Sequence, residues 1–176
     1  MSSISIAGDT SGSITLSVPA VAGTNTVTIP ASTGTVMVSG NMPAFSAYQS
    51  SAQTLTLNVN TKLQFQTKEF DTANCYDNVT NYRFTPNVAG YYQVSAGFRV
   101  SAVRANLALS IFKNGSEFKD IGTDSTPSSA QINGSALVYM NGSTDYIEAY
   151  GLSGASQALL ATNYGTFFQA TMVRAA

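Results

Sequence analysis

The residues that could do chemistry are few. The chain has no histidine, one cysteine (Cys75) and nine carboxylates: Asp9, Glu69, Asp71, Asp77, Glu117, Asp120, Asp124, Asp145 and Glu148. A cysteine without an imidazole cannot form a thiolate–imidazole pair. The many serines have no histidine base, which excludes the usual hydrolase triad. A Cys/His zinc site cannot be assembled within one chain. Neither a GxxxxGK phosphate loop nor a GxGxxG fingerprint is present. Glycoside hydrolysis needs two carboxylates in one cleft, and no spacing here argues for that. No catalytic or cofactor-binding residue is assigned, and a non-enzymatic protein is expected.

Two acidic clusters invite a hard cation. Asp71 and Asp77 lie with Asn74 and Asn78, and Asp120 and Asp124 lie beside Thr123 and Ser125. Calcium takes such oxygen ligands, yet neither cluster has the spacing of a calcium loop. Solvated turn residues are the plainer reading, and no metal ligand is assigned. Cys75 reads as a small, semi-buried side chain. The tyrosines offer binding surface instead. Tyr146 and Tyr150 share a strand face with Glu148, and Tyr139 and Tyr164 are further candidates. Such rings stack on sugars or fill subunit interfaces, where Tyr is enriched. The interface reading is the stronger of the two.

The elements that must position these residues are strands. Period-2 alternation recurs along the chain, with frequent Thr, Val, Ile, Tyr and Phe. Ile14, Leu16 and Val18 begin a first segment, followed by Val27 and Ile29 and by Val36 and Val38. This predicts three short strands, too few to bury a core of their own. "SGNMPAF" is a Gly/Pro break and sets the expected boundary, with an N-terminal β module over 1–40 and a head over 41–176. In the head, alternation marks Leu55–Val59, Tyr92–Val100, Leu107–Ile111, Ala136–Met140, Ile147–Tyr150 and Phe167–Arg174. "KNG" and "NGSTD" are tight-turn signals, and Thr123–Gln131 reads as a loop. The class is all-β, and a jelly-roll β-sandwich fits about eight to ten strands joined by short turns. The last strand is expected to be central.

Charged residues make up 10% of the 176, and net charge is -1. Typical soluble proteins carry about 25% charged residues, so this surface is poorly protected against association. No basic run suggests nucleic acid. No apolar stretch approaches the roughly 20 residues that span a bilayer. The N-terminus lacks the features of a secretion signal. Synthesis in a cytoplasm is the expectation.

The head resembles the globular heads of the complement first component's q-subcomponent, which share a jelly roll with tumour necrosis factor (TNF). The stretches that carry the likeness are "AFSAY", "FDTANCYDN", "FTPNVAGYYQV", "LSIFKNG", "GSALVYMNGSTDYIEAYG" and "GTFFQATMVR". Phe84, Gly90 and Tyr92 fit the family's Phe, five residues, Gly, one residue, Tyr signature, with Pro86 in the turn. Val94 and Ala96 stand where the family has further aromatics. Independently of the name, Phe84 and Tyr92 are expected to pack in the core, and Gly90 to adopt a backbone angle that other residues resist. The first segment, "GDTSGSITLSVPAVAGTNTVTIPASTGTVMV", resembles a module of bacteriophage tail fibres and other virion proteins. Both resemblances imply a homotrimer, and some complement-like heads bind calcium.

The joint expectation is a phage virion structural protein on the particle surface: a trimeric capsid decoration (cement or head-fibre) protein. The N-terminal module would hold it to the major capsid protein or another virion protein. The shortness of the chain ahead of the module favours this over a tail fibre. The alternative is a receptor-binding tip of a short tail fibre that recognises host surface glycan. A cell-made adhesion or lectin-like trimer is a third reading, disfavoured by the missing secretion signal.

Overall fold

The computed structural model describes the chain except residues 1–2, 22, 30, 32, 35, 102–105 and 126–129. The chain divides into two compact units, Met1–Gly34 and Thr35–Ala176; the sequence placed its boundary a few residues later, at the Gly/Pro break.

In the first unit, β1 (Ser3–Ala7) and β2 (Ser13–Ser17) form an antiparallel ribbon. Ile4 pairs with Leu16 and Ile6 with Ile14. Side chains alternate along a strand, so these four share one face and Ser5, Ala7, Ser13, Thr15 and Ser17 share the other. β1 was not expected. The strands expected at Val27–Ile29 and Val36–Val38 do not form among the described residues. A lone run of β-branched residues supplies propensity but no paired backbone. Residues 30, 32 and 35 of that stretch lie outside the described set.

The second unit is a sandwich of strands β3 (Ala44–Tyr48), β4 (Thr54–Leu55), β5 (Thr61–Lys62), β6 (Thr67–Asp71), β7 (Tyr76–Asp77), β8 (Arg83–Phe84), β9 (Ala89–Arg99), β10 (Leu107–Lys113), β11 (Ser116–Asp124), β12 (Gln131–Asn141), β13 (Ile147–Ser153), β14 (Gln157–Ala158) and β15 (Phe167–Ala175). One sheet has the order β12-β9-β15-β3-β6. The other has β11-β10-β13-β8-β7, with β5 also pairing β13. The C-terminal strand is central in its sheet. It buries one face, Phe168, Ala170 and Met172. Strand pairing at 54–59 is shorter than alternation suggested: past Leu55 there is a single bridge at Leu57, and both Leu57 and Val59 are exposed. The loop expected at Thr123–Gln131 begins later, because β11 runs through Asp124; its middle lies outside the described residues.

The turns follow local chemistry. β10 and β11 join through Asn114 and Gly115, with φ of 54° and 80°, the conformation of a two-residue hairpin that favours Asn-Gly. At the β12–β13 turn, Asn141 Oδ1 accepts N–H bonds from Ser143, Thr144 and Asp145.

The core is built on rings. Phe45 stacks on Tyr76 (4.5 Å) and on Phe84 (4.6 Å) and meets Phe168 edge-on (5.0 Å). Phe84 meets Tyr92 at 5.6 Å, also edge-on. β3, β9 and β15 belong to one sheet and β7 and β8 to the other, so this hub joins the two layers. Phe84, Pro86, Gly90 and Tyr92 are all buried. Gly90 does not do what was expected of it. It lies within β9 and its φ is not positive. A Cβ there would collide with the Arg174 carbonyl and the Met172 methyl, so the glycine is needed for the close approach of β15. No described helix is long and apolar enough to cross a membrane.

Candidate interaction surfaces

The strand registers place the outward side chains of the five-stranded sheet in rows. One row runs Phe70, Ser46, Gln169, Ser95, Ser135; the next runs Ala44, Thr171, Gln93, Leu137. Neither row contains a charged side chain. A third, Arg174, Tyr91, Tyr139, closes one end. Phe70, Leu137, Tyr139, Tyr91 and Val173 are exposed, and a shallow hollow of about 280 Å³ lies between Phe70 and Gln93. This face is broad and partly apolar, with charge at its margins: Arg174 at one end, and Glu69 on edge strand β6, whose carboxylate accepts from the Ser46 hydroxyl at 2.7 Å.

The outward face of the other sheet is polar and internally paired. Glu148 is only 3% exposed although it points away from the core, because Lys62 covers it with Nζ at 2.5 Å. Tyr150 stacks on Phe112 with centroids 3.9 Å apart. The Ser110 hydroxyl lies 2.6 Å from Asp120 Oδ1 and 2.9 Å from Glu117 Oε1; its single hydrogen can serve one of them at a time.

The four candidate tyrosines are not gathered into one site. Tyr150 lies in β13, in the six-stranded sheet, and Tyr146 stands just before that strand. Tyr139 is on the outward face of the five-stranded sheet, against Tyr91 at 5.5 Å. Tyr164 stands 69% exposed between β14 and β15. Lys113 connects two of these regions: its Nζ donates to the Tyr139 carbonyl at 2.7 Å and pairs with Asp145 at 2.9 Å.

The acidic clusters serve the backbone. Burial alone would raise the Asp71 pKa, but bonds from the Cys75 N–H, the Lys68 ammonium and the Tyr76 N–H outweigh it and hold the group below its usual value. The Asp77 carboxylate accepts from the N–H groups of Thr80, Val79 and Asn81 and from the Asn81 amide, which lower it to about 2. Among the described residues, no three His, Cys, Asp or Glu side chains gather as a metal-holding group. The Cys75 thiol is pushed up by burial.

One cleft was not anticipated. It measures about 490 Å³ and is lined by Lys68, Asn74, Asn78, Arg83, Thr85 and the Cys75–Asp77 segment. Arg83 lies with its guanidinium carbon 4.5 Å from the centre of the Tyr146 ring. The sequence signal was slight: one of eight basic residues, placed directly before the signature Phe84.

No family model matches the chain, and no curated protein matches it in sequence. Solved structures do match in fold. Murine APRIL superposes with a TM-score of 0.58 at 11% identity over 75% of this chain and 99% of its own. Eiger TNF from S. frugiperda gives 0.58 at 8%, over 77% and 93%. PRD1 vertex protein P5 gives 0.54 at 11%, over 77% and 73%. The protein is therefore all-β with a TNF-like jelly-roll head, and a vertex protein is among its structural neighbours.

Proposed function

We propose that the protein is a non-enzymatic structural component of a phage particle: a homotrimeric capsid decoration protein that displays its jelly-roll head and is held by its N-terminal unit. One observation carries the reading. In Met1–Gly34 the apolar side chains face outward: Ile4, Ile6, Ile14, Leu16, Val21, Val27 and Ile29 are all exposed. Such a unit buries too little to offset its own ordering entropy and reads as a surface awaiting a partner, here the major capsid protein or another virion protein. The uncharged rows on the five-stranded sheet support self-association of the head, because charge depletion marks interface cores. The vertex-protein neighbour is consistent with a place on a virion, and the absence of histidine argues against most acid–base and nucleophilic catalysis.

The test is reconstitution on particles that lack the native protein. The full chain should bind and the Thr35–Ala176 fragment should not. Light scattering of the full chain should give a trimer mass. Binding of the fragment equal to that of the full chain would remove the anchoring role, and a stable monomer at micromolar concentration would remove the trimer. A second reading, the tip of a short tail fibre that recognises host glycan, is favoured by the polar cleft around Arg83. Copy number separates the two: hundreds of chains per particle mean decoration, and a few tens at most mean a fibre.

A further inference from the structure

Arg83 and Asp77 are direct cross-strand partners between β7 and β8. Opposite charges in that position ordinarily pair. Here they do not, because the Asp77 carboxylate is turned into the 79–81 loop by four hydrogen bonds. No carboxylate among the described residues lies within 4.0 Å of Arg83, and its guanidinium donates no hydrogen bond to any of them. Its guanidinium carbon instead lies over the Tyr146 ring, 4.5 Å from the centre, a cation–π contact. That contact uses no N–H group, and the guanidinium fork matches a planar carboxylate.

The other groups lining the cleft are neutral and have capacity to spare. Asn74 accepts from Lys68 through Oδ1, and its Nδ2 makes no bond to the described residues. Asn78 donates to the Gln66 carbonyl, which leaves its Oδ1 open. The Thr85 hydroxyl is likewise without a partner among the described residues. Amide N–H, amide C=O and hydroxyl groups are what sugar hydroxyls need. The second cation, Lys68, is already held by Asp71 at 2.9 Å and by Asn74 at 3.4 Å. One free cation beside the Asp77 charge suits a monoanion better than a dianion.

We propose that this cleft binds an acidic sugar, with Arg83 holding its carboxylate and Asn74, Asn78 and Thr85 meeting its hydroxyls. Tyr146, which the sequence offered as an interface aromatic before a ligand aromatic, is here a positioning residue that orients Arg83. The site lies within the head and sharpens the glycan reading given above as second. Its occupation does not depend on the N-terminal unit, so a failure of particle attachment and a failure of sugar binding are separately visible.

The full chain is titrated with methyl glucuronide, methyl glucoside and inorganic phosphate, followed by backbone amide NMR shifts. Methyl glucuronide should shift the amides of Asn74, Cys75 and Thr85, and methyl glucoside, which lacks the carboxylate, should leave them in place. Arg83→Gln should weaken glucuronide binding by at least about tenfold, as loss of a charge-assisted pair does. Thr85→Val, which leaves the Arg83–Tyr146 pair intact, should weaken it by a smaller factor without changing the melting temperature. Equal affinity for the glucoside, tighter binding of phosphate, shifts elsewhere on the head, or no binding by any probe would each overturn the proposal. So would an Arg83→Gln protein that binds glucuronide like the parent. If that variant fails to fold, the Thr85→Val titration decides: unchanged binding overturns the proposal.

Discussion

The N-terminal ribbon and strand β9 are written in the same code and end in opposite environments. Both alternate apolar and polar residues. In β9, Tyr92, Val94, Ala96 and Phe98 are each 0% exposed; in the ribbon, Ile6 and Ile14 are 58% and 70% exposed. Alternation decides which side chains share a face. Whether that face is buried depends on a second layer, and the ribbon has none among the described residues of its own unit. The head closes a second sheet over the first and joins them through the Phe45 ring cluster.

That contrast can be broken most forcefully in the head. Tyr92→Ala should destabilise the head by about 3–5 kcal/mol, the range for large aromatic truncations in cores, read from urea unfolding. A variant that melts within a degree or two of the parent would mean that the ring hub does not tie the layers together. Lys62→Met should cost less, about 1–3 kcal/mol, because it strips the partner from the buried Glu148 carboxylate while Lys62 itself is partly exposed. An unchanged unfolding midpoint would show that Glu148 finds water instead. Tyr92→Phe removes the hydroxyl that donates to the Val88 carbonyl at 2.7 Å, and should cost about 0.5–1.5 kcal/mol.

A smaller effect is expected from acid. Asp77 has its pKa lowered from 3.8 to about 2 in the folded head. A depressed carboxylate contributes stability that is present above its unfolded value and lost as pH falls through its folded value. Melting temperature should therefore decline from about pH 4 toward pH 2, and Asp77→Asn should flatten that decline. An identical slope in parent and variant would place the acid sensitivity elsewhere. The smallest effect belongs to the ribbon. Ile6→Ser with Ile14→Ser should leave head stability within about 0.5 kcal/mol, as surface changes do, yet abolish attachment to particles lacking the protein. Retained attachment would show that the apolar ribbon face is not the contact.

Several of the stretches that carried the family likeness deliver rings to one place. "AFSAY" supplies Phe45, "FDTANCYDN" supplies Tyr76, the signature supplies Phe84 and Tyr92, and "GTFFQATMVR" supplies Phe168. Tyr92 and Phe168 were visible in alternating strands and Phe84 in the signature, whereas Phe45 and Tyr76 stood only in stretches that carried the likeness. Their convergence was not visible, because it joins residues more than a hundred positions apart.

By itself the sequence determined the all-β class, the Asn-Gly hairpin at 114–115, the central C-terminal strand and the exclusion of histidine chemistry. These depend on local periodicity, turn stereochemistry and composition, all of which act over a few residues. Tertiary structure decided that Gly90 is needed for close approach and not for its backbone angle. It also buried Glu148 under Lys62, put Tyr139 and Tyr150 on different sheets, and left Arg83 unpaired beside Asp77. Each of these depends on what a strand from elsewhere in the chain places opposite a residue. Register between distant strands is fixed by the packing of the whole sandwich, and no local window of sequence contains it.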